Sequence, residues 1–134
     1  MRQHLEQANH NKNFHDCIET QFAGQFYDWK ITVLFYVAIH YLKALADSKG
    51  VDIGETHFDI EHNVNPDRHH EKTRIKKGAW REYKNLFNYS RTARYEGITD
   101  IATFEQLKQV DHSYCLTHLD NFKKYIQGQG ISIT

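Results

Sequence analysis

The stretch Trp29-Lys30-Ile31-Thr32-Val33-Leu34-Phe35-Tyr36-Val37-Ala38-Ile39-His40-Tyr41-Leu42-Lys43-Ala44-Leu45-Ala46-Asp47 decides the fold. It holds neither glycine nor proline, and its apolar residues run almost all the way round a helical turn. One flank reads Trp29, Val33, Tyr36, His40 and Ala44; the other reads Ile31, Leu34, Phe35, Ala38, Leu42 and Leu45. A helix apolar on both sides packs on several neighbours at once, so this is the predicted central helix of an all-α protein. Its most apolar part, residues 31–46, carries Thr32, His40 and Lys43 and is too short to span a bilayer. Ser48-Lys49-Gly50 ends it.

On the N-terminal side, Leu5, Ala8, Phe14, Ile18 and Phe22 make one sparse helical stripe. Residues 24–28 interrupt it, and Asp28 offers a cap for the central helix. On the C-terminal side, residues 50–66 carry two glycines and the single proline with weak periodicity, and read as a long exposed connection. Pro66-Asp67 is a start signal for a third helix over residues 68–95, with Gly78 as the place for a kink and Ala79, Tyr83, Leu86/Phe87, Ser90 and Arg94 as its stripe. Thr103-Phe104-Glu105-Gln106 fits a capping box for a fourth helix, striped by Phe104, Leu107, Cys115, Leu119, Phe122 and Ile126. Gly128 and Gly130 end it, leaving residues 127–134 as a frayed tail. The expectation is a four-helix up-and-down antiparallel bundle with a long loop between helices 2 and 3, forming one domain over residues 1–134. A central helix apolar on both faces exceeds what three neighbours cover, so a symmetric homodimer is expected.

Composition bounds the function. The 134 residues fit one domain, and 13% aromatics supply a core. Lys plus Arg and Asp plus Glu are 17 each, so net charge does not attract nucleic acid. Cys17 and Cys115, 98 positions apart, form neither a zinc motif nor a disulfide framework. The N-terminus has no apolar run of the kind a secretory signal needs. A soluble, cytoplasmic protein without a membrane partner is expected.

Ten histidines are the compositional oddity. A helical metal site wants histidines three or four apart, and no two here have that spacing. Asp59-x-x-His62 and Asp67-x-x-His70 echo the acid–histidine pairs of di-metal bundles but lie in or beside a loop. His57, His62, His69, His70, His112 and His118 are therefore expected to be solvated, with no metal site and no cofactor. His40, inside the most apolar helix, is either a hydrogen-bonded core histidine or a residue lining an inter-helix cleft. Arg91, Arg94 and Tyr95 close the third helix. Arg94 shares Tyr83's inward stripe, where a guanidinium needs an acid, a carbonyl or an anionic ligand. Lys72, Arg74, Lys76, Lys77, Arg81 and Lys84 make the one basic run, interleaved by Trp80 and Tyr83. The common nucleotide-loop and hydrolase motifs are missing.

Three strings resemble a bacterial branch of the HEPN-like superfamily. Residues 28–40, Asp28-Trp29 through Phe35-Tyr36-Val37-Ala38-Ile39-His40, resemble its "dW-x-v-x-x-FYaalH" helix. His70-Glu71-Lys72-Thr73-Arg74 resembles its "H-x-x-R" segment. Tyr83-Lys84-Asn85-Leu86, Ser90 and Ala93-Arg94-Tyr95 resemble its "Y-x-x-L-x-x-x-S-x-x-aRY" pattern. The resemblance implies a small helical bundle, often homodimeric, that binds RNA or nucleotide. It implies a ligand-binding set of Tyr36, His40, His70, Arg74, Tyr83, Arg91, Arg94 and Tyr95. Active HEPN ribonucleases carry R-x(4–6)-H, and no arginine here has a histidine at that spacing. His40, His70, Arg91 and Arg94 are then the candidates for any catalysis. The alternatives are a non-enzymatic homodimeric assembly domain, with a protein partner, and a metal-dependent bundle enzyme.

Overall fold

In the computed structural model the chain is all-α; it describes residues 1–68, 75–95 and 100–134, without the side chains of Arg94 and Tyr95. Among the described residues five helices follow in order: α1 (Arg2–Gln21), α2 (Tyr27–Ser48), α3 (His57–Val64), α4 (Lys77–Tyr95) and α5 (Ile101–Gly128). No strand occurs among the described residues.

The central helix is where the sequence puts it. α2 packs against α1, α4 and α5 and contributes Ile31, Leu34, Phe35, Val37, Ala38, Leu42 and Leu45 to the core. It is not covered on every side, because Trp29 and Tyr36 on the other flank are 59% and 44% exposed. At 22 residues, α2 has the length and apolarity to cross a membrane, yet most of it is buried by the other helices. Its start differs from expectation. Phe26, at φ 57, is the N-cap residue, and Asp28 lies inside the first turn, where its charge favours the helix dipole. Its end is a Schellman motif: the Gly50 N–H bonds the Asp47 carbonyl and the Val51 N–H bonds the Ala46 carbonyl, with Gly50 at φ 68.

α1 buries Ala8, His15 and Ile18, whereas Phe14 and Phe22 are 56% and 45% exposed. Seven residues from Ala8 complete two turns and arrive at His15, so the histidine takes the inward place expected for Phe14. α5 repeats the pattern. Leu107 faces outward, and Lys108 and His112 join Phe104, Cys115, Leu119, Phe122 and Ile126 on the buried stripe.

The expected long loop contains α3. Thr56 and Asp59 form a capping box, with the Asp59 N–H donating to Thr56 Oγ1 at 3.1 Å and the Thr56 N–H donating to Asp59 Oδ2 at 3.3 Å. Ile53, Ile60 and Val64 anchor the segment in the core. Gly54, at φ 89, lies so close that a Cβ there would run into the Asp59 side chain. α4 begins at Lys77 rather than at residue 68, with Gly78 in its first turn and no kink required. α5 begins two residues before Thr103. Asp100 is the cap, accepting from the Ala102 N–H and from the Thr103 hydroxyl at 3.1 and 2.8 Å. The tail is not simply frayed, because Ile131 is 5% exposed and belongs to the core, and Gln127 Nε2 donates to the Ile133 carbonyl.

Candidate functional site

Four cations of α4 lie on one line. Lys77, Arg81, Lys84 and Arg91 follow at steps of four, three and seven, which keeps them on one side of the helix. Lys77, Arg81 and Arg91 are exposed and Lys84 is half-buried. Phe87 sits among them. Its ring has Lys84 Nζ 4.9 Å away, the Arg91 guanidinium 5.8 Å away and the His57 ring stacked at 3.4 Å with an interplanar angle of 8°. Lys84 also pairs with Glu61 Oε2 at 3.0 Å, and Lys77 with Asp67 at 3.3 Å. Pro66, Asp67, Lys77, Trp80, Arg81 and Lys84 surround a depression at the N-terminal end of this line.

His57 is held neutral by its surroundings. Burial lowers its pKa most, Lys84 and Arg91 push the same way, and the Glu61 carboxylate opposes them. Its Nδ1 is buried with no hydrogen-bond partner among the described residues, and so is the Tyr83 hydroxyl.

The residues singled out by the sequence take different places. Tyr36 is exposed on α2, and Phe35 beside it touches both Tyr36 and Phe87, at ring distances of 5.9 and 5.5 Å. Arg91 is exposed on the α4 line. Tyr83 is a core residue, fully buried among Trp80, Phe35 and Phe122, and burial drives its pKa far above the usual phenol range. His40 is half-buried and paired with α1, its Nδ1 lying 3.0 Å from His4 Nδ1. Its pKa falls to about 4, first through burial and then through the nearby His4 and Lys43 charges. His70 and Arg74 lie outside the described residues, as do the side chains of Arg94 and Tyr95.

The expectation of solvated histidines holds for His62 but not for His112, which is 4% exposed. His118 is half-buried and bound to Glu82 Oε2 at 2.6 Å, and His57 is on Phe87. His69, like His70, lies outside the described residues. His112 meets His15 of α1, with the two Nε2 atoms 2.9 Å apart and Glu19 Oε2 3.4 Å from the His112 nitrogen. These three are the metal-ligand types that gather among the described residues. Sequence reasoning missed them because it sought histidines three or four apart and acid-x-x-His pairs, whereas His15 and His112 are 97 residues apart. The available signal was His15-x-x-x-Glu19, two ligand types one turn apart.

Compared with family models, curated proteins and solved structures, the chain matches none of them.

Proposed function

We propose that the chain is an RNA- or nucleotide-binding module of the HEPN-like kind, built as a four-helix up-and-down antiparallel bundle with α3 in the connection between its second and third long helices. The observation that carries this reading is the line of Lys77, Arg81, Lys84 and Arg91 on one side of α4, with Phe87 and His57 stacked beside it. Fourteen residues of helix extend about 21 Å, enough to follow several successive phosphates of a single strand. Guanidinium groups suit phosphate because their donors form a planar fork. Tyr36 offers an exposed ring next to the same region. No catalytic step belongs to the proposal, since R-x(4–6)-H is absent.

The test is fluorescence anisotropy of a labelled single-stranded RNA oligomer titrated with the full chain at low and moderate salt, with ATP as competitor. Arg81→Ala combined with Arg91→Ala should weaken binding by about tenfold or more and flatten the log–log salt slope by about 1.4, two single-strand phosphate contacts. Binding unchanged in the double variant, or no binding at low salt, would overturn the proposal.

A second reading, a non-enzymatic homodimeric assembly domain, draws on the open flank of α2, where Trp29 and Tyr36 remain exposed in the monomer. A monomer mass by sedimentation at micromolar concentration would remove it.

A further inference from the structure

We propose that His15 Nε2, His112 Nε2 and Glu19 Oε2 hold one divalent transition-metal ion of borderline softness, zinc being the best match, which ties α1 to α5. The imidazole nitrogens are 2.9 Å apart, and the carboxylate oxygen is 3.4 Å from that of His112. Tetrahedral zinc with bonds of about 2.0–2.1 Å spaces its ligand atoms by about 3.3 Å. The His112–Glu19 separation already fits, the two histidines part by about 0.4 Å to reach that spacing, and all three ligand atoms lie within 4.8 Å of one another. Two histidines and one glutamate are a ligand set that zinc accepts, leaving one position for water.

The surroundings orient these groups as metal ligands are oriented. His15 Nδ1 lies 2.9 Å from Asp16 Oδ1, which favours the tautomer with its proton on Nδ1 and leaves the Nε2 lone pair available. Asp16 is in turn held by Lys12 at 2.6 Å. The other oxygen of Glu19, Oε1, is 3.3 Å from Lys30 Nζ, and Lys30 also donates to the Phe22 carbonyl at 2.9 Å. Both imidazoles are buried and held neutral, the state a metal requires. The Glu19 side chain is 40% exposed, which gives the ion an entry path. With two ligands this deeply buried, the ion would act by stabilising the fold.

Lys12 faces the cluster with positive charge, and so does Lys30. The Lys30 ammonium is fully buried and shares Glu19.

The test uses the full chain, stripped with chelator and titrated with zinc chloride. Melting temperature and bound zinc are read out, and cobalt(II) serves as an optical probe. One tightly bound equivalent is expected, with a melting temperature raised by several degrees and cobalt absorption of a four-coordinate, nitrogen-containing site. Glu19→Gln should weaken zinc by about tenfold or more. Glu19 is half-exposed, so its variant stays informative if His15→Gln or His112→Gln fails to fold. No equivalent beyond weak surface binding, or zinc affinity indifferent to Glu19→Gln, would overturn the site.

Discussion

Two of the histidine environments among the described residues differ in what completes them. Between α1 and α5, His15 has His112 on one nitrogen and Asp16 on the other, while Glu19 has Lys30. Beside α4, His57 lies flat on Phe87 with a buried Nδ1 that has no partner among the described residues, and it faces Lys84 and Arg91. The first cluster is internally satisfied and joins helices far apart in sequence. The second leaves polar capacity unused and sits on a cationic surface. A buried polar group that is partnered supports the fold, and one that is unpartnered costs stability.

The largest expected effect comes from cutting the first cluster. His112→Ala leaves a cavity and strands the His15 nitrogen, so it should cost about 2–4 kcal/mol in urea unfolding at neutral pH with chelator present. His57→Ala removes a half-buried stack and should cost no more than about 1 kcal/mol. Equal losses would erase the distinction between the two regions.

A smaller effect is expected from pH at a third histidine. His40 is faced by His4 and Lys43, and Asp47 lies 3.6 Å from His4 Nε2 while also holding the N-terminal ammonium. Its folded pKa of about 4 lies below the ordinary 6.5, so the unfolded chain binds more protons between those values. The contribution is complete above pH 6.5, declines as pH falls through that window and is exhausted below about 4. Allowing for solvent screening of a half-buried ring, the loss should be about 1–2 kcal/mol. It should shrink in His40→Gln, as measured by unfolding curves across the window. An undiminished slope in that variant would assign the pH dependence elsewhere.

The smallest effect belongs to Tyr83→Phe. The hydroxyl is buried without a partner among the described residues, so its removal should leave stability unchanged or raise it by up to about 1 kcal/mol. A clear loss in thermal melting would mean that the hydroxyl is satisfied after all, and that the α4 region resembles the α1–α5 cluster.

Much of the fold was legible in short windows. The breaker-free run of residues 29–47, the stop at Gly50 and the end of α5 at Gly128 follow from neighbouring residues acting on one another. Helix periodicity and left-handed caps need no distant partner. The boundaries that were misread are local too. Thr56-x-x-Asp59 is a capping box with aspartate in place of glutamate, and Asp100 is a better cap than Thr103 because its carboxylate reaches two donors. For the candidate site, the inward place of Tyr83 was legible from the stripe it shares with Ala79, Leu86 and Ser90, whereas the exposure of Tyr36, read as part of an apolar flank of the central helix, was not.

The amino-acid order alone carries the helical class and the central place of α2, because both arise from apolar spacing along one segment. It does not carry the inward turn of His15 and His112 in place of Phe14 and Leu107, nor the burial of Lys30. Those depend on which side of each helix its neighbours cover. They also depend on whether a polar group finds its partner there, as His15 finds His112 at a distance of 97 residues along the chain. Burial of such a group is permitted only once that partner is in place, and packing across α2 is what brings the partner to it.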